Sequence, residues 1–350
     1  MVKETVLVFP ERIENEEELD EVLSTPYPET VQDVASLEGD IVILGAGGKI
    51  GPSLAIMATK ALRLAGKESK VYAVSRFTRH HLVEKLKKHG VEVIRADLSE
   101  EDEVRDLPDA ENLIFMSGRK FGTTAVPEET WVTNTYIPAL IAKKYRKSKF
   151  IIFSTGNVYP LVKVWTGGAT EETKLAGVGE YAWSVIGRER IFTYFAKKYG
   201  FKAAILRLNY ACELRYGVLV DVALKVYGGE PVDVTMGFVN VIWQGDVNNI
   251  ALRLLKHVSN PPRVLNVTGP ELVSVRWLAE EFGRLFNKKP VITGKEAEEA
   301  LISNASECFK LFGYPRVPLK LMIQWVAHWI SSGKPVYNLP THFEVRTGEF

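Results

Sequence analysis

Gly45, Gly48 and Gly51 are the residues whose type and spacing first suggest a chemistry. They punctuate Gly45-Ala-Gly47-Gly48-Lys49-Ile50-Gly51, which follows the apolar run Ile41-Val-Ile-Leu44 and precedes an Ala-rich amphipathic stretch, 52–65. A glycine-rich turn between a strand and a helix offers backbone N–H groups and the positive end of a helix dipole to phosphate. Gly45 would permit the tight turn, Gly48 the approach of a pyrophosphate, and Gly51 close packing of helix on strand. The spacing is GxxGxxG rather than GxGxxG. A dinucleotide is the ligand such a loop takes in this context. At the end of the next expected strand, NAD sites usually carry an acid for the ribose 2′-hydroxyl. Here that place falls at Ser75, followed by Arg76 and Arg79. An arginine can hold a 2′-phosphate through charge-assisted hydrogen bonds, so NADP(H) is expected over NAD(H). The alternative is that Arg76 is only a solvated loop charge. Asp97 and Leu98, ending the third strand, are placed to meet adenine.

Arg119, Arg207 and Arg215 are candidates to hold an anionic substrate by bidentate contacts. The six histidines form no HxxxH or HExxH pair, and Cys212 and Cys308 lie far apart, so neither a metal site nor a disulfide framework is expected. Two cysteines fit a reducing compartment, and the N-terminus is too acidic and broken for a signal peptide, so a cytoplasmic protein is expected. No apolar run is long enough to span a bilayer. A net charge of +1 over 350 residues argues against a dedicated nucleic-acid binder, and 46% hydrophobic residues argue against disorder.

These residues need a scaffold, and the pattern supplies one. Apolar runs near 41–44, 71–75, 91–98, 112–118, 150–156, 201–209 and 263–269 alternate with helical stretches near 52–65, 78–89, 131–145 and 181–199. That alternation predicts βαβ units and a doubly wound parallel sheet, an α/β Rossmann-type fold. Residues 1–38 read as an N-terminal extension with a surface helix at 16–24, stopped by Pro26 and Pro28. Residues 39–209 read as the dinucleotide-binding domain, its sheet completed by about 262–269. Residues 210–350 read mainly as a smaller substrate lobe and tail, with helices at 218–227, 247–257, 274–286 and 319–330. Met322, Trp325, Val326 and Trp329 are expected in its core. The tail, 335–350, reads as extended, either folded over the cleft or dressing a dimer.

Several motifs in order resemble the extended short-chain dehydrogenase/reductase family, of the NAD-dependent epimerase/dehydratase type, from about residue 39 to about 330. They are the glycine loop, Asn134-Thr-Tyr, Phe153-Ser-Thr-Gly-Asn-Val-Tyr159, Glu180-Tyr-Ala-Trp-Ser184 with Arg188-Glu-Arg190, Gly245-Asp-Val247, and Ser274-Val-Arg-Trp-Leu-Ala279. The resemblance implies an enzyme with Tyr181 and Thr155 in catalysis. It implies a cofactor held by Gly45, Gly48, Lys49, Ile50, Gly51, Ser75, Arg76, Asp97, Leu98, Ser117 and Asn134. Arg119, Asn157, Asn209 and Arg215 are expected beside a small-molecule substrate. The resemblance also implies a homodimer through helices 131–145 and 181–199.

One departure outweighs the matches. The family motif is YxxxK, and this chain reads Tyr181-Ala-Trp-Ser-Val185. A free phenol has a pKa of about 10, so about one in a thousand is ionised at pH 7. An ammonium about 4 Å away would stabilise the phenolate by about 4 kcal/mol at an effective dielectric of about 20. Valine supplies none of this. Arg188 shares the helix face but lies about 10 Å along the axis, so it serves only if its side chain folds back. Lys49, Arg119 and Lys120 sit on loops that could reach the cleft. Three readings follow: a dehydrogenase or epimerase/dehydratase with a relocated cation; different chemistry with Glu128 or Asp246 as acid or base; or a catalytically impaired NADP(H)-binding sensor or partner. Retention of Tyr181 and Thr155 favours the first. The segments at 208–212 and 240–246 depart from the family's NVYGP and RDFIHVDD. They turn the expectation from a nucleotide sugar toward a polar, sugar-like or hydroxy-acid-like substrate.

Overall fold

In the computed structural model, which describes residues 9–349 apart from 121, 123 and 124, the apolar runs are strands of one parallel sheet. In chain order they are β1 (Ile41–Leu44), β2 (Val71–Ser75), β3 (Glu92–Arg95), β4 (Asn112–Phe115), β5 (Lys149–Thr155), β6 (Ala203–Leu208) and β7 (Arg263–Val267). Their spatial order is β7-β6-β5-β4-β1-β2-β3. Each pairing is parallel; Ile41 lies opposite Val71 on one side and Asn112 on the other. β1 and β4 are buried throughout because helices cover both faces, which is why these runs do not alternate. β3 is an edge and exposes Glu92 and Arg95. The chain reverses its direction of winding between β1 and β4, and the crevice at the carboxyl ends of those strands is where such sheets take ligands.

The covering helices include α1 (Glu16–Leu23), α2 (Pro28–Ala35), α3 (Gly51–Leu64), α4 (His80–Lys88), α5 (Glu101–Arg105), α6 (Pro127–Trp131), α7 (Ile137–Lys144) and α8 (Gly179–Tyr199). One run was expected at 131–145. Instead α6 and α7 are joined by a π-helical turn, Val132–Tyr136, and Asn134 is its fully buried residue. α1 is the amphipathic surface helix expected: Leu19 and Leu23 are fully buried against the body while Glu16, Glu17, Glu18 and Glu21 are exposed. Pro28 does not merely stop it but opens α2 at the first turn, where proline's missing N–H costs nothing.

Beyond the sheet follow α9 (Val218–Gly228), α10 (Gln244–Leu254), α11 (Val275–Phe286), α12 (Ser306–Phe312) and α13 (Leu319–Ser331). Ser274 caps α11 by accepting from the Trp277 N–H at 3.2 Å. Trp325 and Trp329 of α13 are buried in one core with α9 and α11. The tail folds back across this layer. Its Thr341 N–H and hydroxyl donate to Asp221 of α9, and Phe343 is buried.

Among the described residues, no helix is long and apolar enough to cross a membrane. Nor does any group of three His, Cys, Asp or Glu among them stand ready for a metal.

Candidate active site

The glycine loop opens the crevice. Gly45 has φ +87, and a Cβ there would stand 2.5 Å from the Ser117 nitrogen; at Gly51 a Cβ would stand 2.4 Å from the Ala46 carbonyl oxygen. Both positions therefore require glycine. At Gly48 the nearest atom to such a Cβ is 3.6 Å away, which leaves the loop's outer face open.

The outer half of the cleft encloses about 790 Å³ and is lined by Gly45, Gly48, Ser75, Arg76, Asp97, Leu98, Ser117 and Arg119. Arg76 is exposed, with its guanidinium 3.8 Å from Asp97. Arg79 donates to the Gly47 carbonyl at 3.0 Å. Hydrogen bonds from Ser99, helped by the Arg76 charge, hold the Asp97 carboxyl below its usual range.

The inner half encloses about 340 Å³ and brings together Lys49, Ile50, Gly51, Lys120, Thr155, Asn157, Tyr181, Arg188 and Asn209. Thr155 ends β5. Its hydroxyl donates to Asn157 Oδ1 at 2.9 Å and accepts the Asn157 N–H at 3.2 Å. Tyr181, in the first turn of α8, lines the same pocket as Thr155 and feels its hydroxyl. Burial raises its phenol above the usual value, against the pull of the Arg188 charge and Thr155.

Arg188 folds back. It is 5% exposed and donates to the Phe153 carbonyl at 2.8 Å and to Asn134 Oδ1. Its Nε is buried without a partner, and among the described residues it makes no ion pair. Buried charges are normally paired, so a guanidinium held only by neutral acceptors is unusual. Burial draws its pKa down to about 10. The absent side chain at Gly118 makes its room: a Cβ there would lie 2.6 Å from Arg188 Nη2. Val185, where the family has lysine, packs instead among Val158, Tyr159, Ala169 and Ile186.

Several expected contacts are corrected. Asn134 does not line the cleft; it sits behind the wall, donating to Ser184 Oγ at 2.8 Å and to the Arg119 carbonyl at 3.2 Å. It therefore pins the loop after β4 and carries Arg188. Arg207 is no substrate clamp. It is 4% exposed and binds Glu189 through two bonds, at 2.7 and 3.0 Å, with Tyr159 at 2.7 Å. Arg215 is likewise committed, to Glu213 at 3.1 Å, Glu16 at 3.0 Å and Asp20 at 3.2 Å, which ties α1 to the body. Asp246 is not an exposed acid or base: it is 2% exposed and accepts from the Tyr27 hydroxyl and the Arg316 and Val317 N–H groups. Arg119 lines the outer cleft but is ion-paired with Glu129.

Tyr216, Gln244 and Thr341 line the inner half without having been foreseen. No local pattern marks them; they arrive from a loop, a helix start and the tail. The Lys49 ammonium lies 4.2 Å from the Tyr216 ring centre. Lys120 donates to the Thr341 carbonyl at 3.1 Å. Burial and the nearby Lys49 charge pull Lys120 down to about 8.

Residues 41–213 match the model of the NAD dependent epimerase/dehydratase family. No curated protein matches the sequence. Among solved structures, the fold is similar to UDP-glucose 4-epimerase of Thermotoga maritima, crystallised with UDP-glucose, at 20% identity and TM-score 0.68, covering 84% of this chain and 99% of that one. An epimerase from Methanothermobacter thermautotrophicus gives 12% identity and TM-score 0.71, covering 88% and 97%. A dTDP-glucose 4,6-dehydratase from Bacillus anthracis, in complex with NAD, gives 16% and 0.69, covering 84% and 97%. At these identities the likeness is one of fold.

Proposed function

Residues 41–213 belong to the NAD dependent epimerase/dehydratase family, and from that premise we propose that the protein is an NADP(H)-dependent oxidoreductase or epimerase/dehydratase-type enzyme acting on a polar, sugar-like or hydroxy-acid-like substrate. The observation that carries the reading is that Tyr181 and Thr155 line the same crevice as the glycine loop. A pure dinucleotide binder needs neither hydroxyl.

The cradle fits a dinucleotide: glycines where a Cβ would collide, open space at Gly48, and the start of α3 behind it. Gly45, Gly48, Ile50 and Gly51 would hold the diphosphate, Asp97 and Leu98 the adenine side, and Ser117 the inner end. Bound there, the nicotinamide would exchange hydride with the substrate. Tyr181 would move the matching proton, Thr155 would orient the reacting oxygen, and Asn157 and Asn209 would hold further hydroxyls. Arg188 supplies the positive charge that Val185 cannot, acting on the phenol from two turns further along the helix.

Structural relatives of this fold have been solved with NAD. The preference for NADP(H) rests instead on Arg76 and Arg79 flanking the end of β2, with no acid on β2's last residue. α6, α8 and the π-turn between α6 and α7 expose Trp131, Val132, Tyr136, Trp183 and Tyr194. Pairing of two copies through this face would cover them, and light scattering at micromolar concentration tests it.

The function is tested by calorimetric titration with NADP⁺ and NAD⁺, then by product analysis over a panel of sugars and sugar acids with Tyr181→Phe as control. Binding with turnover lost in Tyr181→Phe supports the enzyme. Tight binding with no turnover supports a sensor. No heat from either dinucleotide refutes both.

A further inference from the structure

The tail, 335–349, leaves α13 and returns to the inner pocket, where Thr341 forms part of the wall. A series of contacts fixes its course. The Tyr337 N–H donates to the Arg215 carbonyl at 3.0 Å. The Thr341 N–H and hydroxyl donate to Asp221 at 2.8 and 2.5 Å, and its carbonyl accepts from Lys120 at 3.1 Å. The same hydroxyl accepts the Phe343 N–H at 3.3 Å. Arg346 donates to the Glu299 carbonyl at 2.7 Å. Gly348 is then buried against Val178 and Gly179.

That last contact is backbone on backbone. A Cβ on Gly348 would stand 2.2 Å from the Val178 carbonyl oxygen, and one on Gly179 would stand 2.4 Å from the Gly348 carbonyl oxygen. The two glycines have φ +74 and +83, a region that side chains disfavour. Gly179 is the first residue of α8 and lies just ahead of Tyr181. The same segment also meets the active-site loop: a Cβ on Gly177 would stand 2.3 Å from the carbonyl oxygen of Asn157, whose side chain is bonded to Thr155. Val178 supplies no capping side chain to α8. The helix start is therefore placed by packing on the Asn157 loop and on the tail. Contacts this close have no slack, so a displacement of one backbone is passed to the other.

We propose that the tail is a brace that positions Tyr181: Thr341, latched on Asp221, fixes its path along the inner pocket, and Gly348 sets where the first turn of α8 begins. Gly348 is a positioning residue, acting through Gly179. The brace matters to chemistry only if Tyr181 moves a proton, and so rests on the proposed function. There, a misplacement of about 1 Å costs a rate about a hundredfold. The tail gives no residue to the outer half of the cleft, so dinucleotide binding is separable from it.

The test uses the full chain with ring-labelled ¹³C-tyrosine, and Tyr181→Phe assigns the signal. Gly348→Ala must push the tail off Val178. Gly229→Ala is the matched control, because Gly229 has the same φ of +74 and nothing within 4 Å of the added methyl. Both variants should lose melting temperature to a similar extent. Only Gly348→Ala should displace the Tyr181 signal and bring its titration down toward the ordinary phenol value, as the site admits water. It alone should also speed amide exchange at 179–182 by about tenfold or more. Thr341→Val should give the same changes in weaker form, and Thr341→Ser should restore the parent behaviour. Dinucleotide affinity should stay within about threefold throughout, while turnover of any substrate found falls in kcat. An unchanged Tyr181 signal and unchanged exchange in folded Gly348→Ala overturn the proposal. Equal changes in Gly229→Ala overturn it too, because backbone strain alone would then account for them. No heat with either dinucleotide refutes the proposed function, and the Tyr181 signals still decide the brace.

Discussion

Replacing Arg188 by methionine should separate stability from chemistry. In the folded protein this guanidinium is 5% exposed, and burial draws its pKa well below the ordinary arginine value, to about 10. That difference corresponds to a charge held at a cost of about 3 kcal/mol, at about 1.4 kcal/mol per pKa unit. Methionine would relieve the cost. It would also remove a donor from the Phe153 carbonyl and leave Asn134 Oδ1 with the Arg119 N–H at 3.3 Å, and a buried acceptor that loses its donor costs about 1–3 kcal/mol. The two effects nearly cancel, so Arg188→Met should melt within about 5 °C of the parent. The phenol of Tyr181 loses the charge that pulls it down, and its titration moves to higher pH. In the oxidising direction, where phenolate is the base, turnover at pH 7 should fall roughly 10–100-fold, as expected for losing a nearby charge at an effective dielectric of about 20. The rising limb of the pH profile should shift upward. Ring-labelled ¹³C-tyrosine NMR, with Tyr181→Phe to assign the signal, reads the same shift without any substrate. Arg188→Lys should restore part of it. Gly118→Ala, whose methyl would displace Nη2, should reproduce it in milder form. An unchanged Tyr181 titration in Arg188→Met, with the protein folded, would refute the assignment of Arg188 as the relocated cation.

Arg76→Ala should weaken NADP⁺ by roughly 5–30-fold, the about 1–2 kcal/mol left of a charge-assisted hydrogen bond after solvent screening. NAD⁺ should be unaffected, and equal changes for both in calorimetry would return Arg76 to a plain surface charge. Lys120, drawn from 10.5 to about 8, carries a cost at neutral pH that disappears as it deprotonates. Between pH 8 and 10.5 the unfolded chain binds the extra proton, so stability rises with pH in that window. Lys120→Met should therefore be more stable than the parent at pH 7, by about 1–3 kcal/mol, and the gap should close by pH 10; paired thermal melts measure it. Arg215→Ala leaves Glu213 buried without its partner, a loss of about 3–5 kcal/mol. It should also loosen α1, seen as a lower denaturation midpoint and new protease cleavage near residues 24–28.

The local sequence determined the parallel sheet and the glycine cradle. Both depend on patterns confined to a few neighbouring residues: β-branched runs buried on two faces, and glycines at a strand-to-helix turn where any Cβ would collide with Ala46 or Ser117. The same text named Tyr181, Thr155 and the loss of lysine at Val185. It could not say which arginine was available. Arg207, Arg215 and Arg188 are equivalent in sequence, and their roles were decided by what folding placed opposite each. Glu189 faces Arg207, and Glu213, Glu16 and Asp20 surround Arg215. Arg188 makes no ion pair among the described residues and donates to two amide oxygens, the Phe153 carbonyl and Asn134 Oδ1. Charge in a buried site is set by partners brought from distant parts of the chain, so only the tertiary structure could show which cation remained to act.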